Sequence, residues 1–582
     1  MTPSSIDSFA MARKRGRGGG TLAHRLLQSY RETPDRPALH LLFPKEPELT
    51  LDYRALVHGS AAYARALEQA GVARGEVVIL ILQHGADLVY AFWGAILRGA
   101  IPGIMPFLTE KLAPEKYRAE LAALFGITQP AAVITYPDFA PEAEAAARDS
   151  SVRVILRSPD VRPLTDLDVD SLPGLDSAPD AIALLQHSSG TTGLQKGVAL
   201  AHRAVLTQLA VYARAVNLTP DDVIVSWLPL YHDMGLIAGF ILPIICRVPL
   251  VLLSPFDWVR APAKLLHAVT RYRGTLAWLP NFAYNFCAQK IRDRDLQGVD
   301  LSSWRAIINC SEPMRWESHQ AFTERFRPYG LNPAALATCY AMAENVFAVT
   351  QGGIHSPVVV DEVDRRTLLV DRVARRANGN PETLKMLSAG KPLPNVRVRI
   401  LDDARHDVPE RVIGEIALQS DCLLTGYYHR DDATEKAFHA GWYLTGDFGY
   451  TAEGEVYVTG RKKDLIIVGG KNVYPQDVEL LASEVPGVHP GRVVAFGVFN
   501  DEAGTEEVVL VAEVETEDEE ERNRLADALR QKVTRGSDVT LRMVHLVGPR
   551  WVLKTSSGKT ARAANREKYL AELKEQAMVK AA

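Results

Sequence analysis

The chain has 582 residues, 47% of them hydrophobic, enough for a large core and more than one domain. A formal net charge of -4 implies no general affinity for polyanions such as nucleic acids. The five cysteines, Cys246, Cys287, Cys310, Cys339 and Cys422, include no C-x-x-C pair, which argues against a cysteine zinc framework and suits reduced thiols in a cytoplasm.

Residues 1–20 carry a basic, glycine-rich run without an apolar stretch that would serve a signal peptide, and read as a disordered tail rather than a nucleic-acid arm. Helical periodicity marks residues 21–30 and 53–70, a buried strand 76–82, a helix 86–97, and strands 131–136 and 152–156. An Asp/Pro-rich link, 159–180, leads to the short apolar run 181–185. Residues 186–205 read as a loop between that strand and a helix over 202–216. Within the loop, residues 188–197 hold two serines, two threonines, three glycines and one lysine, supplying hydroxyls, uncovered N–H groups and a cation. Such a composition fits around phosphate. It is not the nucleoside-triphosphatase loop, because Gln195 rather than glycine precedes Lys196 and Gly197 rather than Ser or Thr follows it.

Strands over 223–227, 250–253, 275–278 and 306–309 alternate with helix-like segments, which predicts largely parallel sheets covered by helices, an α/β architecture. The most apolar window, 234–246, is too short to span a bilayer and is divided by Pro243 and Arg247, so it reads as a buried helix followed by a strand; no transmembrane segment is expected. After residue 460 the pattern becomes that of a compact α+β unit, with strands 464–468, 493–498, 508–514 and 539–547 and helices 475–485 and 518–533. The expected organisation is a tail (1–20), a large domain (21–460), a polar hinge (461–464) and a small mobile C-terminal domain (465–582).

Further motifs follow in order: Trp227-Leu-Pro-Leu-Tyr-His-Asp-Met-Gly-Leu236, Asn309-Cys-Ser-Glu-Pro313, Tyr340-Ala-Met-Ala-Glu344, Tyr443-Leu-Thr-Gly-Asp447, Gly460-Arg-Lys-Lys-Asp464 and Lys554-Thr-Ser-Ser-Gly-Lys559. Together with the phosphate-type loop they resemble the ordered core motifs of the adenylate-forming superfamily, which includes acyl-CoA synthetases, luciferases and adenylation domains. His232-Asp-Met-Gly-Leu236, the Ala343-Glu344 pair and a long segment at residues 351–386 most resemble the fatty acyl-AMP ligases. Cys310-Ser311 stands where the family has Gly-Ala, Tyr340-Ala341 stands for Tyr-Gly, and residues 104–110 depart from the family's Pro-rich stretch.

The resemblance implies ATP and Mg2+ as cofactors and a carboxylic acid, of the fatty type, as substrate. It assigns Ser188, Ser189, Gly190, Thr191, Thr192, Gly193 and Lys196 to the β- and γ-phosphates, Glu344 to magnesium, and Tyr340 with the Cys310-Ser311-Glu312 backbone to the two faces of adenine. Asp447 takes the ribose hydroxyls, with Arg461 adding a ribose or phosphate contact. Lys559 bridges the carboxylate and α-phosphate, His232 lines the acyl-carboxylate end of the pocket, and Lys463 is the hinge. The acceptor implied is the phosphopantetheine thiol of an acyl carrier protein. A CoA ligase, an amino-acid or aryl-acid adenylation enzyme using Asp233, and a non-catalytic nucleotide-binding regulatory module are the alternatives.

Overall fold

The computed structural model describes residues 20–107, 114–161, 164, 167–188, 196–369, 371–379, 383–468, 471–500, 505–537, 539–555 and 559–581. The expected tail, Ser189 to Gly193 of the phosphate loop and part of the 104–110 stretch lie outside them. Two compact units are present. The first takes the described residues of Met1–Val359, Ala389–Arg397 and Gln419–Tyr443; the second takes those of Val360–Ser388, Val398–Leu418 and Leu444–Ala582.

The first unit holds two seven-stranded sheets. One runs Leu336–Thr338, Ala306–Asn309, Leu276–Leu279, Ile224–Ser226, Leu250–Leu253, Pro37–Leu42, Leu49–Asp52, and every pairing is parallel except the last. The other runs Gly426–Tyr427, Lys196–Ala201, Ile182–Ser188, Ile101–Ile104, Val77–Ile81, Ala132–Thr135, Val154–Arg157, antiparallel only across its first two pairings. Val77–Ile81 is buried at every residue, as an unbroken apolar run must be when a strand has helices on both faces. Helices Tyr53–Gln69 and Ala86–Arg98 approach so closely that a Cβ on Gly94 would lie 2.5 Å from the Tyr63 side chain. That contact requires glycine.

Two local expectations change. Residues 186–205 are not one loop: Ile182–Ser188 and Lys196–Ala201 pair antiparallel, with Ser188 opposite Lys196, before helix His202–Ala215. Val198, Ala199 and Leu200 are buried, so the apolar half of the stretch joins the sheet and only residues 189–195 remain between the strands. The apolar window 234–246 is a buried helix, but Met234–Ile241 is wound as a π-helix, passing into an α-helix at Leu242–Cys246. Extended π segments are uncommon and concentrate near functional sites.

The second unit contains the sheet Val488–Asn500, Thr505–Val514, Leu541–Val547, covered by helices Pro475–Ser483, Glu519–Ser537 and Arg562–Ala581. Val478, Leu481, Ala495, Leu510, Leu529 and Val533 form one core there. The 351–386 segment folds as a hairpin, Val360–Asp364 against Thr383–Leu387, with a short helix at Arg365–Leu369 between. Val363, Leu368 and Ala374 are buried with Ile413, Phe448, Tyr450, Tyr457 and Tyr474, whereas Val359 is exposed.

The division therefore does not fall at residues 460–464. Tyr474, beyond them, shares a core with Phe448 and Tyr450, before them. Residues 460–464 themselves end the strand Glu455–Arg461 and form a short 3-10 turn, Lys462–Asp464. No helix among the described residues is long and apolar enough to cross a membrane.

Candidate active site

In the first unit, site residues issue from the carboxyl ends of neighbouring parallel strands, where open α/β sheets bind ligands. Ala306–Asn309 leads into Cys310-Ser311-Glu312, and the adjacent Leu336–Thr338 leads into Tyr340 and Glu344. Ser311 adopts φ 71° and sets its Oγ 3.8 Å from the Met234 sulfur, which brings this turn beside the π-helix. The Glu312 carboxylate accepts the Phe282 N–H at 2.9 Å, at the start of helix Asn281–Lys290. Its side chain thus holds a helix terminus, where negative charge is favoured. Tyr340 is buried, its N–H donating to Thr350 Oγ1 at 3.1 Å.

Glu344 lies on the one-turn helix Ala343–Asn345, followed by Val346 at φ 63°. A left-handed conformation is costly for a β-branched residue and marks a turn held in shape by its surroundings. Glu344 Oε1 accepts a hydrogen bond from the Tyr427 hydroxyl at 3.0 Å, and that hydroxyl also lies 3.0 Å from the Tyr443 hydroxyl. Lys196 places its ammonium 4.6 Å from the centre of the Tyr427 ring. Burial, and then the Glu344 charge, raise the Tyr427 hydroxyl far above its ordinary range, so it is a neutral donor. A carboxylate and a cation are thereby gathered around one tyrosine.

No motif in the sequence marks Tyr427. It reaches the site because Gly426–Tyr427 pairs antiparallel with Lys196–Ala201, placing Tyr427 opposite Val198. The only trace in the primary structure is an isolated Gly-Tyr-Tyr at residues 426–428. Tyr427→Phe deletes a hydrogen bond to a charged group, worth about 1.5–3 kcal/mol.

His232 follows the strand Ile224–Ser226. Its N–H donates to the Pro229 carbonyl at 3.2 Å, its own carbonyl accepts the Leu236 N–H at 2.7 Å, and its ring meets Tyr231 edge-on at 5.0 Å. The Asp233 carboxylate accepts the Met234 N–H at 2.9 Å and caps the π-helix. Ser188 ends its strand opposite Lys196.

The remaining predicted residues belong to the second unit. Asp447 and Arg461 are cross-strand partners, with Arg461 Nε 3.4 Å from Asp447 Oδ1. The turn before Asp447 uses Gly446 at φ 69°, and Thr445 Oγ1 accepts the Asp447 N–H at 3.0 Å. Lys463 lies in the Lys462–Asp464 turn. Lys559 is held through its main chain: the Thr555 N–H donates to its carbonyl at 2.7 Å, and its N–H donates to Thr555 Oγ1 at 3.2 Å.

A family model described as AMP-binding enzyme matches residues 26–428. The chain belongs to the AMP-binding enzyme family. It is 32% identical over 526 residues to a 4-hydroxyphenylalkanoate adenylyltransferase of Mycobacterium tuberculosis, covering 85% of this chain and 82% of the relative. It is 29% identical to the medium-chain-fatty-acid--[acyl-carrier-protein] ligase JamA of Moorena producens, covering 92% of each. Among solved structures it matches one from structural and functional studies of fatty acyl-adenylate ligases from E. coli and L. pneumophila, with TM-score 0.86, 30% identity, and coverage of 96% of this chain and 99% of that one. This member of the AMP-binding family is an adenylate-forming ligase, with fatty acyl-adenylate ligases among its structural neighbours.

Proposed function

We propose that this enzyme converts a carboxylic acid of the fatty type, with ATP, into acyl-AMP and pyrophosphate, and then passes the acyl group to a carrier protein's phosphopantetheine thiol in a reducing cytoplasm. The observation that carries the adenylation step is the grouping of Lys196, Tyr427 and Glu344 near strand ends that also present Tyr340 and Ser311. A carboxylate oxygen attacks the α-phosphorus, the bond to the β-phosphate breaks, and pyrophosphate leaves. The protein needs no nucleophile for this; it needs cations, donors and positioning.

Lys196 would neutralise departing phosphate charge. Glu344 offers a hard oxygen ligand for Mg2+. Such a cation, when bound, would supply charge neutralisation to the triphosphate. Tyr340 and Ser311 would flank adenine, Asp447 and Arg461 would hold the ribose, Lys559 would meet the carboxylate and α-phosphate, and His232 would line the acyl-carboxylate end. In the second step the thiol sulfur attacks the acyl carbonyl, its proton is lost, and the bond to AMP breaks.

Both named relatives, one of 4-hydroxyphenylalkanoates and one of medium-chain fatty acids, support an acid with an alkyl chain leading to its carboxylate. The test is a panel of such acids with ATP, each acyl-AMP being trapped with hydroxylamine. Failure of every acid to release pyrophosphate would overturn the reading in favour of a regulatory nucleotide-binding module.

Lys463, in its short turn, is proposed as the hinge between the two half-reactions. A hinge residue absorbs the backbone rotation that separates two arrangements. Lys463→Pro fixes φ without touching nucleotide, so acyl transfer should slow at least about tenfold more than adenylation. Equal loss in separate assays of the two steps would count against it.

A further inference from the structure

One largely buried guanidinium ties the chain around Lys559 to the Lys462–Asp464 turn. Arg562 opens the helix Arg562–Ala581. Its Nη1 donates to Asp464 Oδ2 at 2.7 Å, its Nη2 to Glu479 Oε1 and Oε2 at 2.8 and 3.0 Å, and its Nε to the Ala495 carbonyl at 3.0 Å. All of these groups lie in the second unit. The three charged side chains are only 15%, 20% and 16% exposed. Burial by itself would lower the Arg562 pKa, but the Glu479 and Asp464 carboxylates outweigh it and hold the group above its usual range.

Each partner anchors a different element. Asp464 closes the turn that contains Lys463, Glu479 belongs to helix Pro475–Ser483, and Ala495 belongs to strand Val488–Asn500. On the other side, Arg562 is three residues from Lys559 and the intervening chain is stapled. The Ala561 N–H donates to the Leu553 carbonyl at 3.0 Å. The buried Asn565 side chain accepts the Leu553 N–H at 2.7 Å and donates to the Leu553 and Ala561 carbonyls at 2.8 Å each. Lys554 and Thr560 form a β-bridge. A short, fully bonded path thus runs from Asp464 to Lys559.

We propose that Arg562 is a positioning residue for adenylation: it fuses Asp464, the last residue of the Lys462–Asp464 turn, with helix Pro475–Ser483 and the Lys559 segment into one body, so that a rotation at Lys463 carries Lys559 to a defined place. The proposal rests on the reading of Lys559 as the adenylation cation. Arginine is suited to the task because its planar fork engages one carboxylate in two bonds while its other nitrogens reach a second carboxylate and a carbonyl. A lysine ammonium is a single point charge that cannot make all of these contacts.

Arg562→Lys keeps a buried cation against the carboxylates but gives up the fork. A misplacement of about 1 Å at a reacting group can cost about a hundredfold, so kcat for acyl-AMP formation should fall about tenfold to a hundredfold, with KM for ATP changed less than about twofold. Transfer from supplied acyl-AMP to a phosphopantetheinylated carrier does not use Lys559 and should stay within about twofold of wild type. Asp464→Asn, which leaves the Arg562 pairing with Glu479 in place, should show a smaller loss confined to the same half-reaction, and it decides the matter if Arg562→Lys does not fold. Equal losses in both half-reactions would mean a merely structural role and overturn the proposal, as would unchanged adenylation in both variants. Lys559→Ala, assayed alongside, separates the two readings. If it adenylates normally, the Lys559 assignment fails; if it is inactive while the Arg562 and Asp464 variants behave as wild type, only the positioning role fails.

Discussion

Lys559→Ala is expected to lower acyl-AMP formation about a hundredfold to a thousandfold while ATP binding and transfer from preformed acyl-AMP persist, because one preorganised charge or donor at a developing anion contributes that much. The attack joins two anions, so a compact cation able to bridge carboxylate and phosphate oxygens acts mainly on the transition state. The Lys559 main chain is bonded through both its N–H and its carbonyl to Thr555, next to the Lys554–Thr560 bridge. The measurement is pyrophosphate release under saturating ATP, with nucleotide affinity determined separately. A variant that forms acyl-AMP at near the wild-type rate would sink the assignment.

With CoA as the only thiol, the intact enzyme is expected to accumulate acyl-AMP, and to consume it when given a phosphopantetheinylated carrier protein. The reason lies in the hairpin Val360–Asp364 and Thr383–Leu387 with its short helix. Within the second unit it is bonded to elements on both sides of Lys463. Before that residue, Asp361 accepts from Arg411 and from the Tyr450 hydroxyl, each at 2.9 Å. After it, Tyr474 shares a core with Val363 and Leu368, and Arg365 donates to the Gly536 carbonyl at 2.7 Å.

If Lys463 is the hinge, rotation there disturbs contacts of the second group, which disfavours the transfer arrangement. A carrier protein adds its own contacts to offset that cost, and couplings of this kind, about 1–3 kcal/mol, change populations about 5- to 150-fold. Free CoA offers far less surface. Deleting residues 351–380 would uncover Phe448, Tyr450 and Tyr474, so Arg365→Ala is the cleaner variant: acyl-CoA formation should rise severalfold with adenylation unchanged. Rapid acyl-CoA formation by the intact enzyme would instead favour the CoA ligase reading.

Much of the fold was legible without coordinates. Runs such as Val77–Ile81, Leu250–Leu253 and Ala306–Asn309 are apolar at every position and short, which suits only strands buried on both faces, and the segments between them carry helical spacing. The order of the motifs from Lys196 to Lys559 resembles that of the adenylate-forming enzymes, and the match to the AMP-binding enzyme family bears that resemblance out.

What only the tertiary structure decided are pairings between distant segments. Tyr427 joins Lys196 and Glu344 through an edge strand, Arg562 meets Asp464 and Glu479, and the 351–386 segment finds a core with Tyr474 rather than serving as a linker. Local periodicity reports which face of an element is buried but not which partner buries it. That choice is made by the shape of the whole core and by the need to satisfy each buried charge, as at Arg562, and it determines which residues meet at the site.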